Sequence, residues 1–137
     1  MKQTATPSKV VRTLVEGVAA ERFSALALLY AETTDVTHPF GASSKPLRTR
    51  AELAQHFAAM ADAQARLPER EVIDLVIHQT SDPELVVAEF AYRWKLPEPI
   101  RVGCVLVTRV RGGEIVESRD YADPSALAEV AKQLDKT

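Results

Sequence analysis

Ile100-Arg101-Val102-Gly103-Cys104-Val105-Leu106-Val107-Thr108-Arg109-Val110-Arg111-Gly112-Gly113-Glu114-Ile115-Val116-Glu117-Ser118-Arg119-Asp120-Tyr121 is two strand-length runs hinged on a glycine pair. Val, Ile and Leu dominate both runs, and Gly112-Gly113 supplies the positive backbone angles that a two-residue hairpin turn demands. Working upstream, Val72 to His78 and Leu85 to Lys95 have the same strand character. Ser81-Asp82-Pro83 turns the chain between them, and Pro97 and Pro99 mark the next reversal.

Before residue 70 the period changes to that of helices. Thr6-Pro7 is a helix start, and Val10, Val11, Leu14, Val15 and Val18 follow as one apolar stripe. Phe23, Leu26, Leu29 and Tyr30 suggest a short second helix. A third starts at Thr49-Arg50-Ala51-Glu52, which has capping-box spacing, with Leu53, Phe57 and Met60 as its stripe. Asp35 to Phe40 reads as a short strand running into a Gly/Ser/Pro loop. Helices followed by consecutive hairpins predict an α+β fold: three N-terminal helices packed on one face of a curved antiparallel β-sheet.

The chain has 137 residues, 46% of them hydrophobic and 26% charged, a size suited to one domain with one core. That domain is expected to span residues 1–137, with an ordered core over about 7–124, a short polar N-terminal segment and a helical C-terminal tail. Seventeen Lys and Arg against 19 Asp and Glu leave a net charge of -2, which provides no basic field for nucleic acid or an anionic membrane. The single cysteine, Cys104, excludes an intrachain disulfide, and no Cys/His spacing matches a metal site. Residues 1–8 lead into no apolar run of the signal-peptide kind, and no stretch is long enough to span a bilayer. A cytoplasmic location is the expectation.

An uninterrupted ladder from the glycine turn puts Val105, Val107, Val116, Ser118 and Asp120 on one face of the last hairpin. Cys104, Leu106, Val110, Ile115, Arg119 and Tyr121 fall on the other. Both faces carry apolar side chains, so both are expected to be covered, one by helices and the other by a second copy of the chain in a homodimer.

The run Leu29-Tyr30-Ala31-Glu32-Thr33-Thr34-Asp35-Val36-Thr37-His38-Pro39-Phe40-Gly41, followed by a polar loop and the capped helix, resembles the early part of ketosteroid isomerases. The closing run from Gly113 to Pro124 resembles the last strand of SnoaL-like polyketide cyclases and limonene epoxide hydrolases. More loosely, the segment from Ser81 through Glu89, taken with that last strand, is similar to the phenazine-biosynthesis A/B group. The resemblance covers nearly the whole chain and implies a cone-shaped member of the nuclear transport factor 2-like superfamily. It implies a pocket for a small apolar molecule and chemistry without metal or organic cofactor.

Residue by residue, the resemblance departs from its models. His38 stands at the isomerases' carboxylate base, Leu14 at their oxyanion-binding tyrosine, and Val105 or Leu106 at their protonated aspartate. Ordinary steroid isomerisation is therefore not expected. Asp120 matches an acid of the cyclase and hydrolase branches, whereas Glu89 and Ala91 occupy the positions of the hydrolase arginine and second aspartate. His38 and Asp120 remain as the catalytic candidates, an imidazole that titrates near neutrality and a carboxyl set among apolar residues. Against them stand a surface or structural histidine and an Asp120–Arg109 ion pair. Tyr30, Phe40, Phe57, Met60, Glu89, Trp94, Val105 and Val107 are the candidate pocket residues. Which face of Leu85 to Lys95 meets the cavity stays open: Glu89 lies on one, Phe90, Tyr92 and Trp94 on the other. His56 reads as the edge of a solvated helix. Three functions fit these residues: an isomerase, cyclase or lyase, a carrier of an apolar metabolite, or an adaptor that uses the sheet face.

Overall fold

Each helix begins where the sequence provides a cap. In the computed structural model, which describes residues 4–41, 43 and 45–135, the Thr6 hydroxyl accepts the Lys9 amide at 3.3 Å and Pro7 opens helix α1, Pro7–Ala19. Its stripe from Val10 to Val18 is buried as expected. Helix α2, Phe23–Leu26, packs close against α1 at Gly17, where a Cβ would lie 2.7 Å from Leu26 Cδ2. A single 3-10 turn, Ala27–Leu29, leads into strand β1, Tyr30–Thr37. Tyr30 therefore starts a strand and does not end a helix. Strand β2, Leu47–Thr49, which reads as loop in the sequence, runs into α3, Arg50–Gln64. The Thr49 hydroxyl accepts the Glu52 amide at 3.1 Å, while the Glu52 carboxylate reaches one residue beyond the cap to the Arg48 amide at 2.7 Å.

Four long strands follow: β3, Arg70–Gln79; β4, Leu85–Trp94; β5, Ile100–Arg111; and β6, Glu114–Ala122. A final helix, α4, Pro124–Leu134, is capped by the Asp123 carboxylate on the amides of Ser125 and Ala126. The six strands form one sheet in the order β2-β1-β6-β5-β4-β3. Among the described residues the architecture is α+β with four α-helices, but the sheet is mixed and not wholly antiparallel, because β1 pairs with β6 in parallel.

Two features of this sheet set the site. Parallel pairing aligns Val36 with Ser118 and Thr37 with Arg119, which brings His38, the next residue, abreast of Asp120. The second is a bulge. Gly112 and Gly113, with φ of 58° and 81°, form the expected tight turn and Arg111 opposes Glu114. Arg109, however, pairs with Glu117, so one extra residue enters β6 near Val116. From there every side chain changes face. Asp120 opposes Leu106 and Ser118 opposes Thr108, on the side that carries buried Val110 and Ile115. The expected grouping of Asp120 with Val105 and Val107 is corrected: those two valines share the outer face.

All four helices lie over the inner face. Helices α1, α2 and α3 enclose the main core with Val86, Ala88, Phe90, Leu106 and Ile115, and a second cluster joins Trp94 and Val102 to Val130 of α4. Between these two clusters the inner face is not filled by side chains.

Candidate functional site

A cavity of about 190 Å³ occupies that gap, walled by Leu14, Val15, Val18, Val36, Leu53, Phe57, Met60, Phe90 and Leu106 among others. Its polar groups are few: His38, His56, Tyr30, Tyr92, Arg70, Cys104, Asp120 and Tyr121. An apolar chamber with a handful of convergent polar groups is the ordinary form of a small-molecule site.

His38 and Asp120 meet there, with Nε2 and Oδ2 3.6 Å apart. A turn closed by the Gly41 amide on the His38 carbonyl at 2.9 Å fixes the chain just beyond the histidine. The Asp120 side chain is 19% exposed and that of His38 35%. Behind the acid runs a relay of hydroxyls: Thr108 Oγ1 lies 2.9 Å from Ser118 Oγ, and Ser118 donates to Asp120 Oδ1 at 2.5 Å. Burial raises the Asp120 carboxyl above its ordinary range, opposed by the Ser118 hydrogen bond and by His38. The rival ion pair does not form, since Arg109 binds Asp82 at 2.7 Å and Glu84 at 3.3 Å.

Tyr30 lies against Phe57, ring centroids 6.0 Å apart, and is almost wholly buried. Burial, reinforced by the charge of Asp120, lifts its phenol well above the usual range, so the hydroxyl keeps its proton as a donor. His56 faces inward from α3, its ring 5.2 Å from that of His38. Burial, and then the neighbouring His38, lower its pKa, which favours the neutral ring. Tyr92 donates to the Val15 carbonyl at 3.2 Å and stays protonated for the same reason of burial. The thiol of Cys104 is pushed up to about 11 by burial, which makes it a poor nucleophile.

Of the candidate residues, His38, Asp120, Tyr30, Phe57 and Met60 line the cavity together. The others lie elsewhere. Phe40 is 62% exposed and packs edge-on against Tyr121 at 5.2 Å, outside the wall. Trp94 belongs to the cluster beneath α4. Glu89 is on the outer face, 2.7 Å from His78 Nε2, next to Val105 in the ladder. Of the two faces of β4, the one that carries Phe90 and Tyr92 meets the cavity.

Sequence reasoning misses Arg70, His56 and Cys104 as lining residues. For Arg70 a signal exists: it alternates with Val72 at the start of β3 and so shares the inward face. His56 gives little, since its turn of α3 also carries the half-buried Glu52 and the exposed Gln55. Among the described residues no group of three or more His, Cys, Asp or Glu side chains is placed to hold a metal ion. No helix among them is long and apolar enough to cross a membrane.

Comparison with solved structures places this geometry among known folds. A proposed isomerase from Bacillus subtilis superposes with a TM-score of 0.77 at 20% identity, over 92% of each chain. A hypothetical protein from Catenulispora acidiphila with a ketosteroid isomerase-like fold, solved with trimethylamine, gives 0.70 at 21% identity over 93% of this chain and 95% of that one. A phenazine biosynthesis-related protein from Pseudomonas aeruginosa gives 0.65 at 14% identity over 92% and 89%. A comparison with curated protein sequences finds no match. The model of the SnoaL-like domain matches residues 11–118, from the first helix through the strand that carries Ser118. With an open six-stranded sheet and a cavity under its helices, the chain belongs to the SnoaL-like domain family.

Proposed function

We propose that this chain is an enzyme of the isomerase, cyclase or lyase type that moves a proton on a small, largely apolar substrate between Asp120 and His38. The observation that carries the reading is the 3.6 Å approach of His38 Nε2 to a buried carboxyl inside an otherwise apolar chamber. Burial holds the Asp120 proton more firmly than water would, which suits the carboxyl to donate it in the proposed step with the adjacent imidazole as the partner base. The Ser118 hydroxyl orients the carboxyl and stabilises the anion left after donation. Tyr30 supplies an O–H to an oxygen that gains charge, a role for which the family's usual tyrosine position holds Leu14.

The test uses enolisable ketones, 2-tetralone and cyclohex-3-enone, incubated with the protein in deuterium oxide and read by mass. Exchange at the carbon beside the carbonyl should fall about 100-fold or more in Asp120→Asn and in His38→Ala. Exchange that is equal in the wild type and both variants removes the mechanism. Binding with no exchange supports the carrier reading instead.

The same proposal includes pairing of two chains through the outer sheet face. There Val87 is opposite Val107, Val105 is beside them, and Val76 is 51% exposed, an apolar patch edged by the Glu89–His78 and Arg101–Asp74 ion pairs. Native mass spectrometry should record a dimer, and Val107→Glu should give a monomer. A wild-type monomer at micromolar concentration contradicts the pairing.

A further inference from the structure

Arg70 is a cation built into the wall of an apolar cavity, and among the described residues no anion pairs with it. It opens β3, opposite Trp94 in the ladder, and its guanidinium carbon stands 5.0 Å from the centroid of the Tyr92 ring and 4.7 Å from that of Trp94. Its Nε is enclosed and has no hydrogen-bond partner. Among the described residues no carboxylate lies within ion-pair distance of it, and Glu21 acts on it only through space. Stacking on two aromatic faces offsets part of the cost of burying the charge, but it provides no acceptor for the N–H fork. A buried donor without an acceptor is costly, and arginine is the side chain whose planar fork matches a carboxylate.

We propose that Arg70 is the seat of an anionic oxygen and that the ligand of this cavity is an apolar carboxylic acid. The inference rests on the pocket reading above and names its substrate class. Arg70 on β3 and Asp120 on β6 are three strands apart and offset along the ladder, Asp120 aligned through Leu106 with Ala88 of β4 and Arg70 opposite Trp94, so the two groups sit at different ends of the cavity lining. Tyr92 and Cys104 of the intervening strands line the floor between them. A ligand that fits this arrangement holds its carboxylate on Arg70, an apolar body against Phe90, Leu106 and Phe57, and its reacting atoms at His38 and Asp120. The two ends have opposite demands: an ionised Asp120 repels a second anion whereas Arg70 attracts one, so the carboxylate belongs at the arginine end. The other titratable nitrogen groups facing the cavity, His38 and His56, are at the Asp120 end.

The experiment compares 6-phenylhexanoate with 6-phenylhexan-1-ol, two probes of one size that differ in charge, by titration calorimetry of the full chain at pH 7.5. The acid should bind about 10-fold or more tightly than the alcohol, the ordinary effect of one charge-assisted contact. Arg70→Gln should bring the two within about twofold while leaving the alcohol's affinity near the wild-type value, and Arg70→Lys should keep part of the preference. If Arg70→Gln does not fold, the wild-type Arg70 Nε–H resonance answers the same question: it should shift with the acid and not with the alcohol. Equal wild-type affinities, or a preference that survives in Arg70→Gln, overturn the arginine seat and leave the pocket reading standing. Failure of both probes to bind the wild type overturns the pocket reading and the arginine seat together.

Discussion

Replacing Asp120 by Asn should make the protein more stable and less active at once. The carboxyl is 19% exposed and receives one short hydrogen bond, from Ser118 at 2.5 Å, with the nearest His38 ring nitrogen at 3.6 Å. A carboxylate has roughly four acceptor sites, and here one is filled from within the protein. Burying an ion costs several kcal/mol even after relaxation, and one charged hydrogen bond returns about 1.5–3 kcal/mol. The ionised form is thus left in deficit. Asn keeps an oxygen for Ser118 and carries no charge, so a gain on the order of 1 kcal/mol at pH 8 is expected, or about 3–6 °C in Tm for a chain of this size.

The pH dependence gives the sign independently. Because the native carboxyl is raised above 3.8, the native state binds its proton more tightly than the unfolded chain does. Its contribution is complete below about 3.8 and is lost as pH rises through the native value. The advantage of Asp120→Asn should therefore be present at pH 8 and shrink at pH 4, as followed by thermal melts in circular dichroism. A variant that is less stable than wild type at both pH values would show that the carboxylate serves the fold, and would refute the reasoning.

Three further outcomes follow from the same geometry. His56 is held below 6.5 by burial and by His38, so the unfolded chain takes up a proton that the native state resists; stability should fall as pH drops below about 6.5, and His56→Gln should flatten that part of a melting-temperature profile. Ser118→Ala removes the donor to Asp120 and leaves Thr108 without its partner; a loss of about 1–3 kcal/mol in urea unfolding is expected, with the Asp120 titration moving further upward. Gly113→Val forces a β-branched residue to a φ of 81° in the hairpin turn, which should cost about 1–2 kcal/mol by the same measurement.

Much of this molecule is legible before its structure, and the misses have physical causes. Thr6, Pro7, Thr49 and Glu52 announce helix starts because caps act through neighbouring residues. Gly112-Gly113 announces the last hairpin for the same local reason. The parallel pairing of β1 with β6 joins residues roughly 80 positions apart, and nothing in the composition of Tyr30–Thr37 marks its partner. The bulge near Val116 adds one residue without altering the strand's character, yet it moves Asp120 from the side of Val105 to that of Leu106. His38 and Asp120 are legible as individuals because their chemistry is unusual for their surroundings. Their meeting is not, since it depends on both long-range features. Apolar character assigns Phe40, and a strand face shared with Phe90 and Tyr92 assigns Trp94, to the wall, and only the turn after His38 and the seat of α4 decide where those rings go.

The central claim, a buried acid paired with His38 in the cavity, is tested most directly by a carbon-13 NMR titration of the Asp120 side-chain carboxyl, assigned by its loss in Asp120→Asn. The expected result is a midpoint above 3.8, accompanied by a shift of the His38 ring signals as the carboxyl ionises, and a further rise of the midpoint in His38→Ala. A midpoint at or below 3.8 that is unaffected by His38→Ala would contradict the account.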